Sequence, residues 1–130
     1  MAEYLAGLKM RMLVCDFDHN LPYEELKERH LPLYRTIRAS QPELPIILMS
    51  AADVLMPHAK AEKLVERREV IRQTYRTAIA EGDQNVYFID GEEHFAGEDR
   101  DQCTVDRRHP NDLGFYRMAM RIEKEIIPLL

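Results

Sequence analysis

A three-layer α/β/α domain, with helices on both faces of a parallel sheet of about three strands, is what this sequence predicts. Three observations lead there. Short apolar runs alternate with longer stretches of helical periodicity from one end of the chain to the other. The runs are continuously apolar rather than alternating, as parallel strands are when both of their faces are covered. The unusual polar residues, Asp16, Asp18, His19, Asn20, Ser50, Asp53, Asp106 and His109, all follow such runs, and an open α/β sheet gathers its ligands at the carboxyl ends of its strands.

The 130 residues, 45% of them hydrophobic, suffice for a single domain with its own core, and residues 1–130 are read as that one domain. Ala2 to Lys9 has room for one or two helical turns. Met10 to Phe17 (MRMLVCDF) is an apolar run ending in polar turn residues and reads as a buried strand. Pro22 to Ala39 sets Leu26, Leu33, Tyr34 and Ile37 at roughly helical spacing. Pro32 lacks an N–H and crowds the preceding turn, so it is expected to break the ladder and start a second helical piece. Gln41-Pro42-Glu43-Leu44-Pro45 then ends the stretch, and Ile46 to Met49 is the second strand.

Pro57 to Glu81 is the longest helical candidate, with Leu64, Ile71, Tyr75, Ala78 and Ile79 along one stripe and Gly82 as its stop. The charged residues of Lys60 to Arg76 are assigned to its solvated face. Asn85 to Ile89 is the third strand. Asp90 to Thr104 is a polar loop too acidic to be core. Asn111 or Asp112 caps a last helix reaching Ile127, whose Phe115, Met118, Ala119, Ile122 and Ile126 form an apolar stripe.

The bulk numbers exclude several classes. A formal net charge of -5, with Lys and Arg interspersed among acids, argues against a nucleic-acid surface. The two cysteines, Cys15 and Cys103, form no Cys-x-x-Cys, so neither a disulfide scaffold nor a zinc ribbon is supported. Cys15, inside an apolar run, reads as a small buried hydrophobe rather than a thiol nucleophile. His30, His58 and His94 fall on presumed surface helix and loop positions without the pairing that chelates zinc, and no metal or cofactor is expected. No signal-peptide core and no run near the roughly 20 apolar residues of a membrane span is present, so the chain is expected to be soluble and compatible with the cytoplasm.

The most informative stretch is Asp106-Arg107-Arg108-His109-Pro110-Asn111-Asp112-Leu113-Gly114. An Asp that holds one nitrogen of an imidazole leaves the other to take a proton from a nucleophile, which is two thirds of a hydrolytic triad. Asp106-x-x-His109 followed by Pro-Asn-Asp-Leu-Gly and a helix resembles the last block of the SGNH (GDSL-like) esterase and acylhydrolase family. The resemblance runs upstream through Val86-Tyr87-Phe88-Ile89-Asp90-Gly91-Glu92 to Asn20, like the C-terminal half of that family's flavodoxin-like fold. It implies a small acyl-ester substrate, with His109 as general base, Asp106 as its orienter and Asn20 as a donor to the oxyanion hole. Arg107 and Arg108 depart from the smaller residues relatives often carry there, and could hold an acidic substrate group.

The family's first block, a Gly-Asp-Ser carrying the nucleophile, has no counterpart in these residues. The nucleophile is therefore expected outside this chain and the chain inactive alone. A non-catalytic truncated domain that binds a partner or serves assembly is the alternative. In the SGNH fold the Met10 to Phe17 strand is internal; without its neighbour it is an apolar edge, so a homo-oligomer paired through Leu13 or Val14, or an N-terminal half supplied by another chain, is expected.

A rival chemistry starts from Leu13-Val14-Cys15-Asp16-Phe17-Asp18, which resembles the nucleophile motif of haloacid-dehalogenase-type phosphatases. Asp16 and Asp18 would be its acids, Ser50 its second motif, and Glu98, Asp99 and Asp101 its magnesium site. Against it, His19-Asn20 stands where Gly and Thr normally follow, and the block from Asp106 to Gly114 is left unexplained. Ser50 lacks a Gly-x-Ser-x-Gly elbow and reads as a turn or cap residue.

Overall fold

The computed structural model describes residues 1–52 and 58–129. A short helix α1 (Ala2–Ala6) leads to strand β1 (Leu13–Cys15), then helix α2 (Tyr23–Ser40), strand β2 (Ile46–Met49), helix α3 (His58–Ala80), strand β3 (Val86–Ile89) and helix α4 (Asp112–Ile126). Single 3-10 turns lie at Asp18–Asn20, Gly91–Glu93, Arg100–Gln102 and Ile127–Leu129. Asp53 and Pro57, which the sequence placed at a strand end and a helix start, lie outside the described residues.

The strands pair in parallel in the order β1-β2-β3, with Leu13 opposite Ile46 and Ile46 opposite Val86. β2 is central, and all four of its residues are buried, which is why it lacks polar alternation. Its side chains divide by parity. Ile46 and Leu48 join Cys15 and Val86 beneath Leu26, Tyr34 and Ile37 of α2 and Ile71 and Ala78 of α3. Ile47 and Met49 face the other way with Ile89, under Met118, Ile122 and Ile126 of α4. Helices thus cover both faces, and the three-layer architecture is as the sequence predicts.

Several details differ. Pro32 sits inside α2 without ending it. It is exposed, so the helix loses one backbone bond on its wet side while Leu26, His30, Tyr34 and Ile37 stay buried on the other. In α3, Ile79 is exposed, whereas Arg67 and Arg68 are buried; the Lys60 to Arg76 face is not simply solvated. In α4, Phe115 and Ala119 are exposed. The inward face turns instead toward Arg117 and Arg121, whose stems pack while their guanidinium groups reach the 93–98 loop. That loop is partly core as well, because Phe95 and Cys103 form a third buried cluster with Ala52, Leu64 and Met118 around them. His30 and His94, read as surface residues, are each 1% exposed.

The loops leaving the three strands are tied together at the carboxyl edge. Asp18 Oδ2 accepts the Ala51 N–H at 3.0 Å and Oδ1 accepts Arg67 Nε at 2.7 Å. The same guanidinium donates to the carbonyls of Asp18 and Leu21. Ser50 Oγ accepts the Gly91 N–H at 2.7 Å. At Gly91 a Cβ would stand 1.7 Å from the Ala51 carbonyl oxygen, so only glycine lets these two loops pass.

Candidate active site

The final loop is folded by the residues that make its motif recognisable. Thr104 and Pro110 form an isolated antiparallel bridge, and Val105 N–H donates to the His109 carbonyl at 2.9 Å, closing a tight turn. Inside it, Asp106 Oδ1 accepts the N–H groups of Arg108 at 3.0 Å and His109 at 2.7 Å. This is an Asx turn, a favoured use of aspartate. Asn111 Oδ1 accepts the Gly114 N–H at 3.0 Å and caps α4, while Nδ2 donates to the Gln102 carbonyl at 2.6 Å. At Gly114 a Cβ would lie 2.2 Å from the Cys103 carbonyl oxygen, so the helix can start this close to the loop only with glycine there.

The turn delivers the imidazole to its carboxylate. His109 Nδ1 lies 2.7 Å from Asp106 Oδ2. The side chains are 66% and 51% exposed respectively, and because Nδ1 meets the carboxylate, Nε2 is the nitrogen left for other chemistry. The Asp106 carboxyl is lowered to about 2, first by the His109 N–H, then by the His109 ring and the Arg108 N–H. At neutral pH it is an ionised acceptor, suited to hold an Nδ1–H.

Asn20 ends the 3-10 turn after β1, is exposed, and donates its own N–H to the Phe17 carbonyl at 2.9 Å. It makes no hydrogen bond to Asp106 or His109. Its neighbour His19 is within electrostatic reach of His109 and Arg108. Burial lowers its pKa first, and those charges lower it further against the opposing pull of Asp18. The loop after β1 and the Asp106–His109 turn therefore border the same edge of the sheet. Sequence reading missed Arg67, the clamp on this edge. The signal was there: residue 67 lies on the inward stripe with Ile71, Thr74 and Ala78, at spacings of four, seven and eleven.

The competing phosphatase reading does not fit these contacts. Asp18 is 2% exposed and its carboxylate is occupied by Arg67 and Ala51. Asp16 is exposed, its pKa raised by desolvation and then by Asp18. Ser50 is 1% exposed and engaged by Gly91. Among the described residues, Glu98, Asp99 and Asp101 do not form a group able to hold a metal ion. Cys15 is buried, and desolvation pushes its thiol up to about 12, away from nucleophilic use. No helix among the described residues is long and apolar enough to cross a membrane.

Comparison with known proteins agrees with the motif. The model of the GDSL-like lipase/acylhydrolase family matches residues 1–127. A crystal structure of a protein from Bacteroides ovatus, described as GDSL-like lipase, superposes with a TM-score of 0.86 at 27% identity, over 98% of this chain and 38% of its own. The salicylyl-acyltransferase SsfX3 from a tetracycline biosynthetic pathway superposes with a TM-score of 0.76 at 20% identity, over 98% of this chain and 40% of its own, a likeness of fold. This chain spans about two fifths of the length of those solved structures. No curated protein matches the sequence.

Proposed function

The chain belongs to the GDSL-like lipase/acylhydrolase family, and from that premise we propose that it carries the acid–base half of an ester-hydrolysing site whose nucleophilic serine lies outside residues 1–130. The observation that carries this reading is the 2.7 Å contact of His109 Nδ1 with an ionised Asp106, on a turn that leaves the ring exposed. In this reading His109 Nε2 takes the serine proton as the oxygen attacks the ester carbonyl. It returns that proton to the departing alcohol, leaving an acyl-enzyme, and repeats both roles with water. Asp106 keeps the tautomer with hydrogen on Nδ1 and stabilises the imidazolium formed in each step. The Asn20 side-chain amide donates to the oxyanion.

As the C-terminal portion of a hydrolase domain, the chain would receive the serine from a preceding segment, a separate chain or another copy. β1 is an edge of the sheet, and Leu13 and Val14 are only half-buried there, which suits such a partner strand. A second reading, a non-catalytic domain that binds a partner, is favoured by one observation: Phe115, Tyr116, Met120 and Ile127 expose apolar surface along α4 and the turn after it.

Hydrolysis of p-nitrophenyl acetate separates the two. The chain alone is expected to give only background. Fusing a Gly-Asp-Ser-bearing N-terminal segment of a family relative ahead of Met1 should raise the rate by about a thousandfold or more, and His109→Ala should abolish the gain. A fusion that folds yet stays inert would favour the non-catalytic reading. Turnover by the chain alone that vanishes in Ser50→Ala but survives in Ser40→Ala would move the nucleophile to Ser50.

A further inference from the structure

Arg107 and Arg108 stand apart from the other arginines near the site. Acids outnumber bases 23 to 18 in this protein, and its arginines generally find a carboxylate: Arg38 has Asp83, Arg67 has Asp18, and Arg121 has Glu93 and Glu125. Arg117 instead donates to the carbonyls of Phe95 and Glu98. The side chains of Arg107 and Arg108 have no hydrogen-bond or ion-pair partner among the described residues, and both residues are exposed. The adjacent acid is already used, since Asp106 accepts two backbone N–H groups and the His109 ring.

Their carrier is defined. The Asx turn holds Arg107 at φ 66, in the left-handed region that side chains uncommonly adopt. The charge of Arg108 reaches His19 on the loop after β1, as that of His109 does. Arg108 and His109, adjacent on the turn, thus both lie near the loop after β1, and Arg107 precedes them in the chain. Two guanidinium groups without an ion-pair partner among the described residues stand beside an exposed base, and a guanidinium fork matches a carboxylate with two parallel N–H donors.

We propose that Arg107 and Arg108 form an anion-binding subsite beside His109 that selects an ester carrying an ionised carboxylate near its scissile bond. The proposal rests on the reading of His109 as the base of an ester-hydrolysing site and supplies its substrate class. A phosphate group would draw further on helix N–H donors. At α4 that end is closed: Asn111 takes the Gly114 N–H, and Asp112 puts a negative charge in the first turn.

The test is binding to the 130-residue chain, read by NMR from the arginine side-chain N–H groups, the backbone amides of residues 105–109 and the His109 ring. The probes are monoethyl succinate, which bears an ester and a carboxylate, and ethyl butyrate, similar in size and neutral, at constant ionic strength. Monoethyl succinate is expected to shift both the arginines and the His109 ring, and to bind about three- to tenfold more weakly to the Arg107→Gln, Arg108→Gln double variant. Ethyl butyrate should not distinguish that variant from the parent. Arg76→Gln, an exposed charge removed from α3, should leave monoethyl succinate binding unchanged. Equal weakening by Arg76→Gln, equal shifts from both probes, tighter binding of inorganic phosphate than of monoethyl succinate, or arginine shifts that never reach His109 would each overturn the proposal. Because the readout is binding, failure of the hydrolytic reading is seen separately, as an inert fusion with the carboxylate preference intact.

Discussion

Two acid–base contacts of the same length, 2.7 Å, stand at the carboxyl edge of this sheet and do opposite things. Arg67 Nε meets Asp18 Oδ1 with the side chains 11% and 2% exposed, and His109 Nδ1 meets Asp106 Oδ2 with the side chains 66% and 51% exposed. The first is surrounded by backbone it must satisfy: Ala51 N–H on the acid, the Asp18 and Leu21 carbonyls on the guanidinium. Both carboxylate oxygens and the Nε and Nη2 donors are engaged, so the pair ties together three chain segments. The second is held by a turn of four residues and leaves its imidazole open. Burial makes the first pair part of the architecture, and exposure leaves the second open to solvent.

The largest effect that would test this contrast is on stability. Arg67→Met leaves the Asp18 carboxylate buried without its cation and two carbonyls without a donor, a kind of loss that costs about 3–5 kcal/mol. His109→Ala should leave the urea midpoint in place. Chemical denaturation of both variants at pH 7 measures this, and an Arg67→Met protein as stable as the parent would show that the clamp is not what joins the loops.

The same contrast explains what the sequence made legible. The strands were readable because Ile46 to Met49 and its neighbours are continuously apolar, as doubly covered strands must be. The Asp106 to Gly114 block was readable because its contacts are local: turn, imidazole partner and helix cap lie within nine residues, and the close approach of Gly114 is to Cys103, eleven positions back. The Arg67–Asp18 clamp spans 49 positions; the stripe spacing marks Arg67 as inward-facing, but nothing in the linear pattern names the acid it meets. His30 was misread for that reason too, since its partners are Thr74 Oγ1 at 2.7 Å and a stacked Phe17 ring. Pro32 was misread because the cost of one lost helix bond is outweighed by the buried face of α2, which is a tertiary property.

An intermediate effect comes from pH. Burial lowers His30 to about 4, and burial followed by the Arg121 charge lowers His94 to about 4, while the unfolded rings titrate near 6.5. The folded values lie below the unfolded ones, so the contribution to stability is present above pH 6.5 and lost as pH falls through 4. Between those limits the unfolded chain takes up protons that the folded chain refuses, at up to about 1.4 kcal/mol per pH unit for each ring. Stability should drop by roughly 2–3 kcal/mol between pH 7 and 5.5, before carboxylates titrate. Urea unfolding at the two pH values reads it. His30→Gln with His94→Gln should remove most of the dependence and leave the part due to His19, which burial also lowers, whereas His109→Ala should leave it; a slope that followed His109 instead would place the acid sensitivity in the exposed pair.

The smallest effect is the most specific to the site. Asp106 is held near 2 by the His109 N–H first and the His109 ring second, with the Arg108 N–H adding to them. The ordinary value is 3.8, so the contribution of this contact is present above that value and lost as pH falls through about 2. His109→Ala removes the ring but keeps both backbone donors. The Asp106 carboxyl should then move only part of the way back toward the ordinary value, and the turn should keep its shape. Carboxyl carbon shifts followed from pH 5 to 3.5 should find Asp106 still mostly ionised at the acid end in the parent and slightly less so in the variant, with the amide shifts of Val105 and Asn111 unchanged. Full return to ordinary titration would mean that the ring props up the turn, making the histidine a structural part of it. Partial return would mean that the backbone makes the turn and the imidazole is carried on it, as a base that must swing between a nucleophile and a leaving group requires.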